Sequence, residues 1–183
     1  MKKSKSAFTI VEIVVVISVI AALVTISVIV YRGTQARARD TARYNDVKAI
    51  MKGLDVYKGH NGRYPTTGAS TTLVSGCTPA TIGSGYSYSI EVDSPSTWLS
   101  ALVTGNYMKP APLAPNNSCT SYYRYLYVPA NTYGCTRGPY YILQVVGTEN
   151  TFTPSDAETA FTPCAGAPTW PTNSTRWTFQ RDE

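Results

Sequence analysis

The 24 residues from Phe8 to Tyr31 form an apolar run, FTIVEIVVVISVIAALVTISVIVY, that carries a single charge, at Glu12. A helix rises 1.5 Å per residue, so this run spans about 36 Å, enough to cross a hydrocarbon core of about 30 Å. Val and Ile dominate it and favour strands in water. In lipid the backbone must satisfy its own hydrogen bonds, and an isolated segment does so as a helix. Lys2, Lys3 and Lys5 precede the run, which keeps that end cytoplasmic and sends the rest across. A carboxylate in hydrocarbon is costly and is kept for a partner or a task. Here the partner is expected outside the chain's own fold, which points to assembly rather than to catalysis.

Three simpler readings leave something out. A cleaved secretory signal has an apolar region of about 7–15 residues and a small-residue cut site after it. This run is longer, and no A-x-A-like site follows before Arg32. An ordinary signal anchor accounts for the length and the basic leader but not for Glu12. A buried core helix has no use for the leader.

Ala7-Phe8-Thr9-Ile10-Val11-Glu12, followed by Ile13-Val14-Val15-Val16-Ile17, resembles the type III signal of type IV pilins and type II secretion pseudopilins. The resemblance implies cleavage by a prepilin peptidase between Ala7 and Phe8, and N-methylation of Phe8. Glu12 then becomes the fifth mature residue, the family's hallmark acid. Ala7 stands where the family usually has Gly, and both are small. The free amine at Phe8 and the carboxylate one turn on can pair between neighbouring subunits, neutralising both charges in an apolar bundle. Such a pair also sets the stagger, as a buried polar residue fixes register in a coiled coil.

The net charge of +5 is largely a leader effect. Without the three lysines, 13 basic residues face 11 acidic ones, a balance of +2, and nucleic acid is not indicated as a partner. There is no phosphate loop, no Gly-x-Ser-x-Gly and no zinc-protease helix. His60 has no nucleophile partner in a known motif and is read as a solvated helix-end residue. Asp93, Glu149, Asp156 and Glu158 lack calcium-loop spacing. We expect no metal, no cofactor and no enzymatic activity. Asn116 and Asn173 head N-x-S/T sequons.

No proline occurs before Pro65, and Thr34 to Lys58 is rich in Ala, Arg, Asp and Lys, so the helix is expected to continue. Val47, Ile50, Leu54 and Tyr57 form a stripe suited to covering a globular domain. Gly33 is either a bend point or a tolerated surface glycine. Gly59 to Pro65 stops the helix. The pattern of Tyr57, Gly62, Tyr64 and Pro65 also resembles the pseudopilin and Gram-positive-type pilin boundary.

Thr66 to Gly85 reads as a loop pinned by Cys77, Tyr86 to Val92 as a weak strand, and Ser96 to Met108 as a short helix ending near Gly105. Ser121 to Val128 alternates, with Tyr123, Tyr125 and Tyr127 on one face and Tyr122, Arg124, Leu126 and Val128 on the other. Tyr140 to Val146 is a second strand, joined to the first as a hairpin through Asn131 to Gly138. From Thr148 the chain reads as loop, with a last strand at Arg176 to Gln180. The fold class is α+β, a long helix packed on a small antiparallel sheet. The expected division is leader 1–7, membrane and assembly helix 8–31, amphipathic helix 32–58 and disulfide-containing head 59–183.

Cys77, Cys119, Cys135 and Cys164 all follow the apolar run, and no pair has Cys-x-x-Cys spacing. Two disulfides in an oxidising compartment are expected. Of three connectivities, we expect Cys119–Cys135 and Cys77–Cys164. One objection stands: in a tight hairpin centred near Tyr133, Cys119 and Cys135 do not face each other.

The resemblance implies a structural subunit of a type IV pilus, serving adhesion, twitching motility or DNA uptake. Its partners would be like subunits, the prepilin peptidase and an inner-membrane assembly platform. The chain would start as a single-pass inner-membrane precursor and end in an extracellular filament. The alternative within the family is a type II secretion pseudopilin. A reading of another class is a membrane-anchored extracellular enzyme or receptor, which calls for a polar cluster with catalytic spacing.

Overall fold

A computed structural model describes residues 9–67, 77, 85–90, 98–158, 160–173 and 175–183. The leader, Ala7 and Phe8 lie outside them. So do most of the Thr66–Gly85 loop, and Asp93 with the rest of 91–97. The chain divides into two compact units, Met1–Ala38 and Arg39–Glu183. Helix α1, Ile10–Asn61, contributes to both.

In the first unit the helix starts at a Thr9 cap and runs through the apolar residues, all of them exposed. One helix of the described residues, α1, is long and apolar enough to cross a membrane. Its few hydroxyls are satisfied by the helix itself. Ser18 Oγ donates to the Val14 carbonyl at 2.7 Å, Thr25 Oγ1 to Ala21 at 2.8 Å and Ser27 Oγ to Leu23 at 2.8 Å. The run therefore presents apolar surface without stray donors. Gly33 lies within the helix and is exposed.

In the second unit α1 ends as its sequence requires. Gly62 takes φ +73° and its N–H donates to the Lys58 carbonyl at 2.8 Å, an αL cap that a side chain with Cβ would strain. The head sheet has the order β1-β2-β3-β6, with every neighbouring pair antiparallel. These strands are β1 (Ser87–Tyr88), β2 (Tyr122–Val128), β3 (Tyr140–Val146) and β6 (Arg176–Asp182). Helix α2 is Ser100–Thr104. Strands β4 (Ala160–Phe161) and β5 (Trp170–Pro171) form a second, two-stranded sheet.

The α+β expectation holds, as do the β2–β3 hairpin and the two faces of β2. Tyr123 and Tyr125 pack with Tyr141, Leu143, Val145, Trp177 and Phe179 against Val47, Ile50 and Leu54 of α1. Leu126 and Val128 join Tyr140 and Ile142 on the opposite face. Two readings need correction. The chain after Thr148 is not all loop before β6, because β4 and β5 pair; two-residue strands are too short to show an alternation. The helix expected within Ser96–Met108 ends at Gly105 as expected but, where described, starts only at Ser100. Leu99 caps it in the left-handed region at φ 49°, and the Tyr107 and Met108 N–H groups fold back onto the Leu102 carbonyl.

Candidate functional site

At the start of α1, Thr9 and Glu12 close a reciprocal capping box. The Thr9 N–H and hydroxyl donate to Glu12 Oε2 at 3.0 and 2.9 Å, and the Glu12 N–H donates to Thr9 Oγ1 at 3.3 Å. The sequence carries the signature, Thr-x-x-Glu ahead of an apolar run, and the reading of Glu12 as purely an assembly group missed it. The carboxylate thus has a partner within its own chain, while its neighbours Ile10, Val11 and Ile13 are exposed. The Ala7–Phe8 junction, with the amine expected to pair with Glu12, lies outside the described residues. The lone carboxylate and the bare apolar helix around it are the candidate assembly surface.

The head is tied together by three devices. First, all four cysteines are paired, but as Cys77–Cys119 and Cys135–Cys164, with Cα separations of 5.3 and 5.6 Å. The expected pairs Cys119–Cys135 and Cys77–Cys164 are both overturned. The reason is the hairpin register. Cys119 precedes β2 and Cys135 follows its far end, so the length of the strand, about 20 Å, separates them. A disulfide needs Cα atoms within about 7 Å.

Second, a buried ion pair joins α1 to the loop after β3. Asp40 is 0% and Arg43 1% exposed. Asp40 Oδ1 accepts from Arg43 Nη1 at 2.8 Å and from the Glu149 N–H at 2.9 Å. Its Oδ2 accepts from the Thr151 hydroxyl at 2.8 Å and the Thr151 N–H at 3.1 Å. Arg43 Nη2 reaches Ser121 Oγ at 3.3 Å. Four donors on one carboxylate make a buried charge tolerable. In the sequence only the i, i+3 spacing of Asp40 and Arg43 hints at the pair.

Third, tyrosine hydroxyls on the helix-facing side of the sheet donate to carboxylates. Tyr123 reaches Asp46 Oδ2 at 2.7 Å and Tyr127 reaches Glu183 Oε2 at 2.9 Å. Burial pushes the Tyr123 hydroxyl well above the usual range, and Asp46 adds to the rise. Burial also raises Asp46, against the lowering from Tyr123. Two of the carboxylates weighed for calcium face cations, while Asp93 lies outside the described residues. Glu149 Oε1 meets Arg39 Nε at 2.6 Å, and Asp156 Oδ2 meets Lys48 Nζ at 2.7 Å. His60 is exposed at the helix end, its ring 5.6 Å from that of Tyr107. Asn116 is exposed in a left-handed turn at φ 58°.

The chain is similar to the type II secretion system core protein G of several bacteria. The protein of Aeromonas hydrophila is 36% identical over 66 residues, 36% of this chain and 46% of that protein. That of Dickeya chrysanthemi is 36% identical over 67 residues, 37% of this chain and 44% of that protein. That of Pseudomonas aeruginosa is 35% identical over 66 residues, 36% of this chain and 46% of that protein. The chain thus spans a little under half the length of these curated relatives. No family model matches the chain. No solved structure matches it. The relatives belong to the pilin-like class that the residues around Glu12 resemble.

Proposed function

We propose that the chain is a structural subunit of a pilin-like filament and not an enzyme. The observation that carries this reading is the exposed apolar helix with one carboxylate at its start. That surface suits a membrane before assembly and a bundle of like helices after it. In this reading a prepilin peptidase removes residues 1–7 and Phe8 is N-methylated. The helix 8–31 anchors the precursor in the cytoplasmic membrane. An assembly platform then extracts it, and Glu12 meets the Phe8 amine of a neighbouring subunit. Residues 32–58 lead into the head, 59–183.

Two filaments fit this chemistry. The names of the relatives support a type II secretion pseudopilus. The two disulfides and the Thr/Ser-rich segments support a type IV pilus exposed to the medium. One experiment separates them: shear surface filaments from cells and identify their subunits by mass spectrometry. A pilus subunit is abundant there, starting at N-methylated Phe8. A pseudopilin is scarce there, and deleting its gene blocks protein secretion. A chain that retains Met1 and forms no filament of either kind would overturn the proposal.

A further inference from the structure

In the head, Arg39, Arg43, Lys48, Arg137 and Arg181 each form an ion pair with a carboxylate. Two arginines on the outer face of the sheet do not: among the described residues no carboxylate meets Arg124 of β2 or Arg176 of β6. Arg124 is 9% exposed. Its guanidinium lies 4.6 Å over the Tyr86 ring, and its Nε donates to Gln144 Oε1 at 2.8 Å. Gln144 Nε2 in turn donates to Thr178 Oγ1 at 2.7 Å, so a polar chain crosses β2, β3 and β6 and fixes the arginine in place. Arg176 lies opposite Val146, two residue pairs along from Gln144–Thr178 and so on the same face. Its Nε is buried and has no hydrogen-bond partner among the described residues. Burial lowers the pKa of Arg176, and the nearby charge of Arg124 lowers it further.

Two like charges thus stand on one face of the sheet, on the strands either side of β3 and partly dry, where charge without a counter-ion is penalised. A guanidinium presents paired N–H donors that match an oxyanion. We propose that Arg124 and Arg176 form a binding site for a dianionic oxyanion group, of the dicarboxylate or phosphate class, on the outer face of the head sheet. Gln144 and Tyr86 are positioning residues that hold Arg124, while Arg176 Nε supplies the second arm. Nothing in the filament reading uses this face.

The test uses the full chain in detergent and follows thermal unfolding by tryptophan fluorescence. The probes are malonate and inorganic phosphate, each against chloride at matched ionic strength. The site predicts a higher Tm with malonate or phosphate than with chloride. Arg176→Gln, which loses no hydrogen bond on folding, should weaken the response about tenfold in probe concentration. Arg63→Gln, at the exposed turn after α1, should leave it unchanged. In probe-free buffer Arg176→Gln should melt no lower than wild type, since it removes a repulsion. Three results would each overturn the site: no response to either probe, an undiminished response in Arg176→Gln, or a lower Tm of Arg176→Gln without probe. The last would mean that the guanidinium already has a counter-ion within the chain.

Discussion

The Thr9 hydroxyl and backbone N–H both donate to one oxygen of Glu12, so the only carboxylate of the apolar run caps the helix that carries it. Capping and charge can be separated by substitution. Gln serves as well as Glu in a capping box, so Glu12→Gln should keep the first turn intact. Thr9→Ala removes the cap hydroxyl at a local cost of about 1 kcal/mol. Amide exchange in micelles should therefore be faster at Ile10–Ile13 in Thr9→Ala and near wild type in Glu12→Gln. The reverse order would remove the cap from the account.

Non-reducing peptide mapping should recover Cys77 linked to Cys119 and Cys135 linked to Cys164. Replacing either pair by serines should lower head stability by about 2–4 kcal/mol. A Cys119–Cys135 peptide would contradict the hairpin register of β2 and β3.

Asp40→Leu alone should destabilise the head by about 3–5 kcal/mol, because it leaves the buried Arg43 with only the longer, 3.7 Å contact to Glu149. The double variant Asp40→Leu/Arg43→Met should recover much of that loss. All three tryptophans, Trp98, Trp170 and Trp177, lie in the head, so fluorescence-detected denaturation reads this unit alone. A double variant no better than the single one would show that Asp40 acts mainly by holding Glu149 and Thr151.

Acid should loosen the head. The Arg39 hydrogen bond holds the Glu149 carboxyl below its ordinary value. Burial pulls Asp156 upward, but Lys48 and Tyr44 outweigh it and hold that carboxyl low as well. A depressed carboxyl stabilises the fold above its unfolded pKa, about 4, and that contribution is lost as pH falls through the folded value. Asp46, raised by burial, acts in the opposite sense and softens the decline. Melting curves should fall below about pH 4, less steeply in Glu149→Gln. An equal slope in that variant would exclude the Arg39 contact as a source of the acid sensitivity.

Local patterns made much of this fold legible. The spacing of Val47, Ile50 and Leu54 marked the buried stripe, the alternation from Tyr122 to Val128 marked β2, and Gly62 marked the helix end. Features that depend on partners far apart in sequence stayed hidden. Asp40 finds Glu149 and Thr151 more than a hundred positions away, through a loop whose path no periodicity encodes. The disulfide pairing followed from which end of β2 each cysteine occupies, a matter of register. The Arg124–Gln144–Thr178 chain likewise exists only once three strands are aligned. At the candidate site the acid itself was plain in the sequence. Its intrachain cap was overlooked because the assembly reading already accounted for it.

The central claim, that a lone carboxylate on a bare apolar helix drives assembly, is tested most directly by the filament yield of Glu12→Val. Removing a buried charge favours lipid, so the variant should insert into the membrane at wild-type levels. Sheared or purified filaments should then contain little or none of it, and Glu12→Gln, which keeps the cap but not the charge, should fail in the same way. Normal incorporation of Glu12→Val into filaments would contradict the account.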